Sequence, residues 1–121
     1  MKHKIQFKDD DEVLYLQIIG EYSKEEAENI GQYYHEMYKG KALRQLIVDL
    51  REAGKMENRE TRKLTKDHID KADISDVAFI GANAATRMIA RVLMKLGNQK
   101  AKSTFLKSYD EALNWLKKRR T

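Results

Sequence analysis

The residues able to do chemistry in this chain are three histidines and scattered carboxylates, and their spacing limits what they can do. His68 lies on a weakly apolar helical stretch, where it can act as an acid, a base or a ligand, or pack as a structural histidine. No second histidine lies at metal-ligand spacing, because His3 and His35 are remote in sequence. There is no cysteine, which excludes disulfides, thiolate nucleophiles and cysteine metal sites. The structural interpretation of His68 is favoured.

The carboxylates show no arrangement that catalysis requires. Asp49 closes an apolar run, where it can be a functional acid or an acceptor for loop N–H groups, and the second role is favoured. The acidic turn at 9–12 lacks the ligand spacing and the glycine of a calcium loop. No set of nucleophile, base and orienting group is evident, although such sets assemble in space and not in sequence. The sequence therefore predicts neither an enzyme nor a cofactor.

An anion site is one candidate for the segment 81–87. This segment leads into a predicted helix whose free N–H groups can hold an anion, with Asn83, Thr86 and Arg87 nearby. It lacks the spaced glycines of a dinucleotide fingerprint and the lysine of a P-loop. A tight turn with Asn83 as the helix cap explains the same residues.

The pattern of apolar and polar residues around these candidates predicts a hairpin, a helix, and then strands alternating with helices. Strands are predicted at 4–7, 13–20, 46–50, 77–80 and 103–106. Two helices are predicted to begin at the capping boxes Ser23/Glu26 and Ser108/Glu111, and two more span 58–71 and 84–96. Alternation of this kind predicts an α/β fold with a mixed sheet covered by helices.

The two middle helices differ in how much apolar surface they offer. The helix at 84–96 has five large apolar residues on one stripe, worth about 8–15 kcal/mol of gross burial. The helix at 58–71 has only Leu64 and Ile69, worth about 3–6 kcal/mol by the same estimate. We therefore expect the first to be central and the second to be peripheral.

Length and composition indicate one globular domain over residues 1–121, since the chain is 41% hydrophobic and 36% charged. The beginning of the chain lacks the apolar core of a signal peptide, and no apolar run reaches the roughly 20 residues of a membrane span. A cytoplasmic protein that is not integral to a membrane is expected. The net charge of +5 suggests nucleic acid, but the one dense basic run, 117–120, ends a helix and offsets its dipole. Nucleic-acid binding is not predicted.

The order of the segments 15–20, 47–50, 77–81 and 105–116 resembles the STAS fold of anti-sigma-factor antagonists, and in particular the SpoIIAA-like group of small bacterial and archaeal proteins. The resemblance covers nearly the whole chain. It implies a four- to five-stranded mixed sheet with about four helices packed mainly on one face. It also implies a regulatory domain that binds a partner and does not catalyse a reaction.

The resemblance fails at the regulatory phosphorylation site of the antagonists. Their Asp-Ser pair after the central strand aligns with Glu57 and Asn58, and neither has a hydroxyl group. The phosphoserine switch is therefore not carried over. Thr61, one turn further along, is a substitute acceptor or an ordinary packing residue, and packing is favoured.

The predicted function is protein binding through the helix at 58–71 and the loop at 49–58 that precedes it. The partner-binding candidates are Arg51, Lys55, Glu57, Asn58, Arg59, Thr61, Arg62, Lys66 and His68. The alternative is an apolar small molecule or lipid, because related proteins are grouped with the CRAL-TRIO fold and Tyr33, Tyr34, Met37 and Tyr38 can line a groove or form core. A homodimer through Ala90 and Met94 is a further prediction.

Overall fold

The computed structural model describes residues 2–56, 59–81, 83, 87 and 101–120, and within them five strands form one mixed sheet. The strands lie across the sheet in chain order: β1 (Lys4–Lys8), β2 (Val13–Tyr22), β3 (Gln45–Met56), β4 (Asp76–Ile80) and β5 (Lys102–Leu106). β1 pairs antiparallel with β2, whereas each later pair is parallel. The predicted mixed α/β sheet is confirmed.

Three helices of the described residues pack on this sheet: α1 (Lys24–Met37), α2 (Arg59–Lys71) and α3 (Tyr109–Lys118). α1 and α2 connect successive parallel strands, and right-handed crossovers that advance in one direction place their helices on one face. α1 and α2 accordingly share a face, and α3 packs on the other. The predicted helix at 84–96, with Ala90 and Met94, lies outside the described residues.

Alternating side chains of the central strands supply two cores, one on each face. Leu46 and Val48 of β3 join Ile30 of α1 in the first core, whereas Ile47 joins Leu116 of α3 in the second. This alternation follows from the two-residue period of a strand. A strand buried on both faces is what the apolar run at 46–50 predicts.

The predicted helix starts are confirmed by their hydrogen bonds. The Ser23 Oγ accepts from the Glu26 N–H at 3.2 Å, and the Glu26 Oε1 accepts from the Ser23 N–H at 2.9 Å, which completes the capping box. At α3 the Ser108 Oγ likewise accepts from the Glu111 N–H at 3.2 Å. The Glu111 carboxylate accepts from the backbone of Lys107 instead of the cap residue, so this second box is incomplete.

β3 is longer than the sequence predicts, and this corrects the loop placed at 49–58. The strand continues to Met56 because the second half of β2 provides backbone partners, through the pairs Gly20↔Ala53 and Tyr22↔Met56. A Cβ at Gly54 would lie 3.0 Å from the Gly20 carbonyl carbon, so a glycine allows this close approach. The charged residues suggested a loop, but pairing with a neighbouring strand decides the conformation.

No helix in the described part of the chain is long and apolar enough to cross a membrane.

Candidate functional site

A polar cluster lies on the α3 side of the sheet, where β2 and β3 run past the end of β4. Asp49 is fully buried there, and its Oδ2 accepts from the Tyr15 hydroxyl at 2.5 Å and from the Arg51 Nη2 at 2.7 Å. Its Oδ1 accepts from the Arg51 backbone N–H at 3.1 Å. Asp49 therefore has the acceptor role favoured by the sequence, although inside a strand and not in a loop.

A β-bulge shapes this cluster. The register passes from Gln17↔Asp49 to Ile19↔Glu52, so β3 contains one residue more than β2. Arg51 bonds to Asp49, and Glu52 accepts from the Gln17 Nε2 at 2.6 Å. Two consecutive residues of β3 thus reach partners on the same side of the sheet. Sequence reasoning missed this arrangement. A usable signal was present, because Tyr15 and Gln17 on β2, like Asp49 and Arg51 on β3, are polar residues two apart and so lie on one side of their strand.

The cluster is electrostatically satisfied. Burial by itself raises the pKa of Asp49, but the hydrogen bonds from Arg51 and Tyr15 outweigh it and hold that pKa below its ordinary value. Burial, followed by the bond to Asp49, raises the pKa of Tyr15 to about 12. A carboxylate with this many donors has little capacity left to act as a base. The geometry favours a structural role for Asp49 and Tyr15.

Arg51 remains available to a partner, because more than half of its side chain is exposed. Its aliphatic stem lies over Gly81 at the end of β4, where a Cβ would meet the Arg51 Cγ at 2.3 Å. Gly81 also has a φ of +66°, which favours glycine. The end of β4 therefore positions the Arg51 side chain.

The partner-binding candidates on α2 divide into exposed and buried residues. Arg59 is exposed and Arg62 is half-buried, so both can contact a partner. Thr61, Lys66 and His68 are buried, which corrects their placement on a contact surface. Lys66 also donates to the Asp70 Oδ2 at 2.7 Å, as the four-residue spacing predicts. These three polar residues lie on the side of α2 that packs against the rest of the fold.

His68 joins α2 to α1. Its ring lies against Gly31, where a Cβ would be 2.2 Å from the His68 Cγ. Its Nε2 is 3.3 Å from the Glu28 Oε2, and its Nδ1 has no hydrogen-bond partner within the part of the chain that the structure describes. The structural interpretation of His68 fits this position. Within the same described residues no group of histidine and carboxylate side chains could hold a metal ion.

The remaining site candidates are described only in part. Glu57, Asn58 and Thr86 lie outside the described residues, and of Lys55 only the backbone is described, within β3. The Arg87 N–H donates to the Asn83 carbonyl at 2.8 Å, and the Arg87 guanidinium lies 5.3 Å from the centre of the Phe105 ring. The anion site at Asn83, Thr86 and Arg87 therefore stays a prediction.

The basic run near the C-terminus is partly internal to the fold. Arg119 bonds to the buried Asp76, and the Arg120 Nε donates to the Gln45 Oε1 at 2.8 Å. The Arg120 Nη2 also donates to the Asp11 carbonyl at 2.6 Å. Two of the four cations thus fasten α3 to the sheet. These contacts give Arg119 and Arg120 a structural role.

The aromatic cluster considered for an apolar ligand is largely core. Tyr34 and Tyr38 are buried, and the Tyr38 hydroxyl donates to the Gln45 carbonyl at 2.6 Å. Tyr33 is 37% exposed. It borders an open groove of about 410 Å³ with Asn29, Gln32 and Glu36. Such a groove offers polar walls to a ligand and no enclosed apolar volume.

The hairpin, the parallel array in strict chain order and the two crossover helices on one face together form a SpoIIAA-like fold. An uncharacterised protein with a SpoIIAA-like fold from Shewanella loihica, of the DUF3478 family, superimposes with a TM-score of 0.69 at 19% identity, over 94% of this chain and 91% of that one. The anti-sigma factor antagonist SpoIIAA in its unphosphorylated form gives 0.64 at 10% identity, over 98% and 97%. Both comparisons confirm the predicted fold.

The chain belongs to the DUF7793 family, a domain of unknown function whose model matches residues 7–120. No curated protein matches the sequence.

Proposed function

We propose that this chain is a cytoplasmic, non-catalytic regulatory module of the STAS type. It binds a protein partner through the exposed part of α2 and the neighbouring end of β3. The fold supports a regulatory role, since one of its structural neighbours is an anti-sigma factor antagonist. The observation that carries the proposal is the charge distribution of α2.

The N-terminal half of α2 concentrates positive charge where a helix favours negative charge. Three cations outnumber Glu60 over the first five residues of α2, whereas Lys66 and Lys71 balance two aspartates over the rest: the three cations are Arg59, Arg62 and Lys63, and the aspartates are Asp67 and Asp70. Within the first turn, the cost of Arg59, about 0.3–1 kcal/mol at a helix end, is offset by Glu60, and the dipole has little effect on the cations further along. α1 has the favourable pattern instead, with Glu25 and Glu26 in its first turn. The excess cations in this half of α2 do not stabilise the free helix through its dipole, and they are placed to bind an acidic partner.

The proposal includes no phosphoserine switch. Glu57 and Asn58 have no hydroxyl group to phosphorylate. Thr61 is fully buried, so a kinase could not reach it without moving α2. Binding would then be controlled by partner concentration or by another surface of the protein.

The test is affinity capture from the native host with three baits: the wild-type chain, the variant R59E/R62E/K63E, and a control. The control variant K39E/K102E/K107E reverses three exposed lysines elsewhere, so that both variants change the net charge equally. We expect a reproducible partner to be retained by the wild type and the control and lost from the α2 variant. Like charges facing each other across an interface cost several kcal/mol, so the loss should be nearly complete.

A partner that binds all three baits equally would contradict the surface assignment. The purified partner would then be titrated against each bait by calorimetry, which separates a change of affinity from a change of abundance. Far-ultraviolet circular dichroism of each bait shows whether the fold is intact.

Binding of an apolar small molecule is the alternative proposal, and it has less support. Tyr34 and Tyr38 fill the core, and Tyr33 borders a polar groove. An apolar ligand recovered by organic extraction of freshly purified protein would favour this alternative.

A further inference from the structure

α1 and α2 lie side by side and run in the same direction. Lys24 is 3.6 Å from Glu60 near the beginning of both helices, and two turns later Gly31 contacts His68. The second contact lies seven residues further along α1 and eight residues further along α2, so the two helices are parallel. The N-terminal halves of the two helices are therefore at the same level.

At this level the two helices have opposite charge. α1 exposes Glu25 and Glu28, and α2 exposes Arg59 and Lys63. The two exceptions to this pattern, Lys24 and Glu60, form an ion pair with each other. An acidic strip (Glu25, Glu28) thus lies beside a basic strip (Arg59, Lys63).

An open groove lies between the acidic strip of α1 and Leu64 of α2. Its volume is about 500 Å³, and the half-buried Leu64 lies among the polar residues that line it: Ser23, Lys24, Glu25, Glu28 and Asn29. Leu64 gives the centre of this surface an apolar contact point. The surface as a whole has the charged rim and small apolar centre of a weak interface.

This surface is complementary to a copy of itself. A two-fold axis along the groove places α1 of one copy over α2 of the other, with the N-terminal halves aligned, so each acidic strip faces a basic strip. The same axis brings the two Leu64 side chains together. A two-fold axis across the groove would instead oppose acidic strip to acidic strip. We propose that the protein forms an isologous dimer through α1 and α2, with the axis parallel to the groove.

This inference does not rest on the proposed function, although the dimer would cover the cations that we assign to partner binding. Self-association would then compete with the partner. The acidic strip distinguishes the two ideas, since it belongs to the dimer interface and not to the proposed partner surface.

The test is sedimentation velocity of the purified full chain and two variants, E25K/E28K and R59E/K63E. We expect the wild type to dimerise at low salt. The affinity of the dimer should fall as salt is added, because the Debye length is about 10 Å at 0.1 M and the attraction between the strips is screened. Each variant alone should associate at least about tenfold more weakly, because like charges then face each other. Mixing the two variants should restore a dimer with one copy of each, since every facing pair is again opposite in charge.

Two controls sharpen this test. The variant D10K/K107E reverses exposed charges away from the strips and should dimerise like the wild type. The fourfold variant E25K/E28K/R59E/K63E exchanges the strips and should self-associate again. A monomeric wild type at low salt, or a mixture of the two folded variants that stays monomeric, would overturn the proposal. If E25K/E28K is monomeric but keeps the captured partner, the dimer and the partner surface are both supported.

Discussion

At the scale of single residues, His3 shows how one side chain joins three parts of the fold. Its Nδ1 accepts from the Ile19 N–H at 2.9 Å, and its Nε2 is 2.7 Å from the Glu26 Oε2. Glu26 is also the capping-box residue of α1. Because Nδ1 accepts a hydrogen bond, it has no proton, so the ring is neutral with its proton on Nε2. Sequence reasoning treated His3 only as too remote for a metal site.

The free energy of unfolding should fall as the pH drops below about 6.5, because protonation of His3 is less favourable in the folded protein than in the unfolded chain. Burial lowers the pKa of His3 below its ordinary value, against the opposing effect of Glu26. The unfolded chain therefore binds more protons near pH 6, so the contribution is complete above the unfolded pKa and is lost as the pH falls towards the folded one. Urea unfolding at a series of pH values between 8 and 5, an interval of about three units, measures it.

Two variants separate the ring's hydrogen bond from its titration. H3N keeps an acceptor for the Ile19 N–H but does not titrate, so its stability should stay flatter across this pH interval. H3A should cost about 1–3 kcal/mol at neutral pH because a buried donor loses its partner. An H3N profile as steep as that of the wild type would show that another group causes the loss.

At the scale of secondary-structure elements, the local sequence pattern predicted which helices and strands exist. It predicted less well how long each element is and which of its residues are buried. The capping box at Ser23 predicted the start of α1 because the hydrogen bonds involved are local. The length of β3 depends on β2, which is remote in sequence, so composition alone could not show it. Burial of Lys66 and His68 likewise depends on what α2 packs against, and a polar residue type gives no sign of it.

The contact between Gly31 of α1 and His68 of α2 predicts that G31A changes stability in opposite directions with and without the His68 ring. G31A should destabilise the protein by about 1–3 kcal/mol, because its Cβ would enter the space of the buried His68 ring. In an H68A background that ring is absent, and G31A should stabilise by up to about 1 kcal/mol through helix propensity. Denaturant unfolding of the four proteins measures both effects. Equal effects of G31A in the two backgrounds would contradict the contact.

At the scale of the whole molecule, a buried carboxylate paired with a partly exposed arginine lies at each end of the parallel sheet. Asp49 with Arg51 lies near the carboxyl ends of the strands, and Asp76 with Arg119 lies at their amino ends. The register separates the two carboxylates by four residues along neighbouring strands, about 13 Å. Polar groups of this kind close the two ends of a sheet whose middle is apolar on both faces.

Acid should therefore weaken both ends of the sheet independently. Burial raises the pKa of Asp76, but the bonds from Arg119, Ser75 and Gln45 reverse this, and the pKa of Asp49 is likewise held low. Each carboxylate contributes stability that is present above its unfolded pKa of about 3.9 and is lost as the pH falls through its lower folded pKa. D49N and D76N should each flatten the acid limb of the unfolding free energy. Their effects should add, because sites about 10 Å or more apart seldom couple. A double variant whose stability still falls as steeply as that of the wild type would show that the acid sensitivity lies elsewhere in the fold.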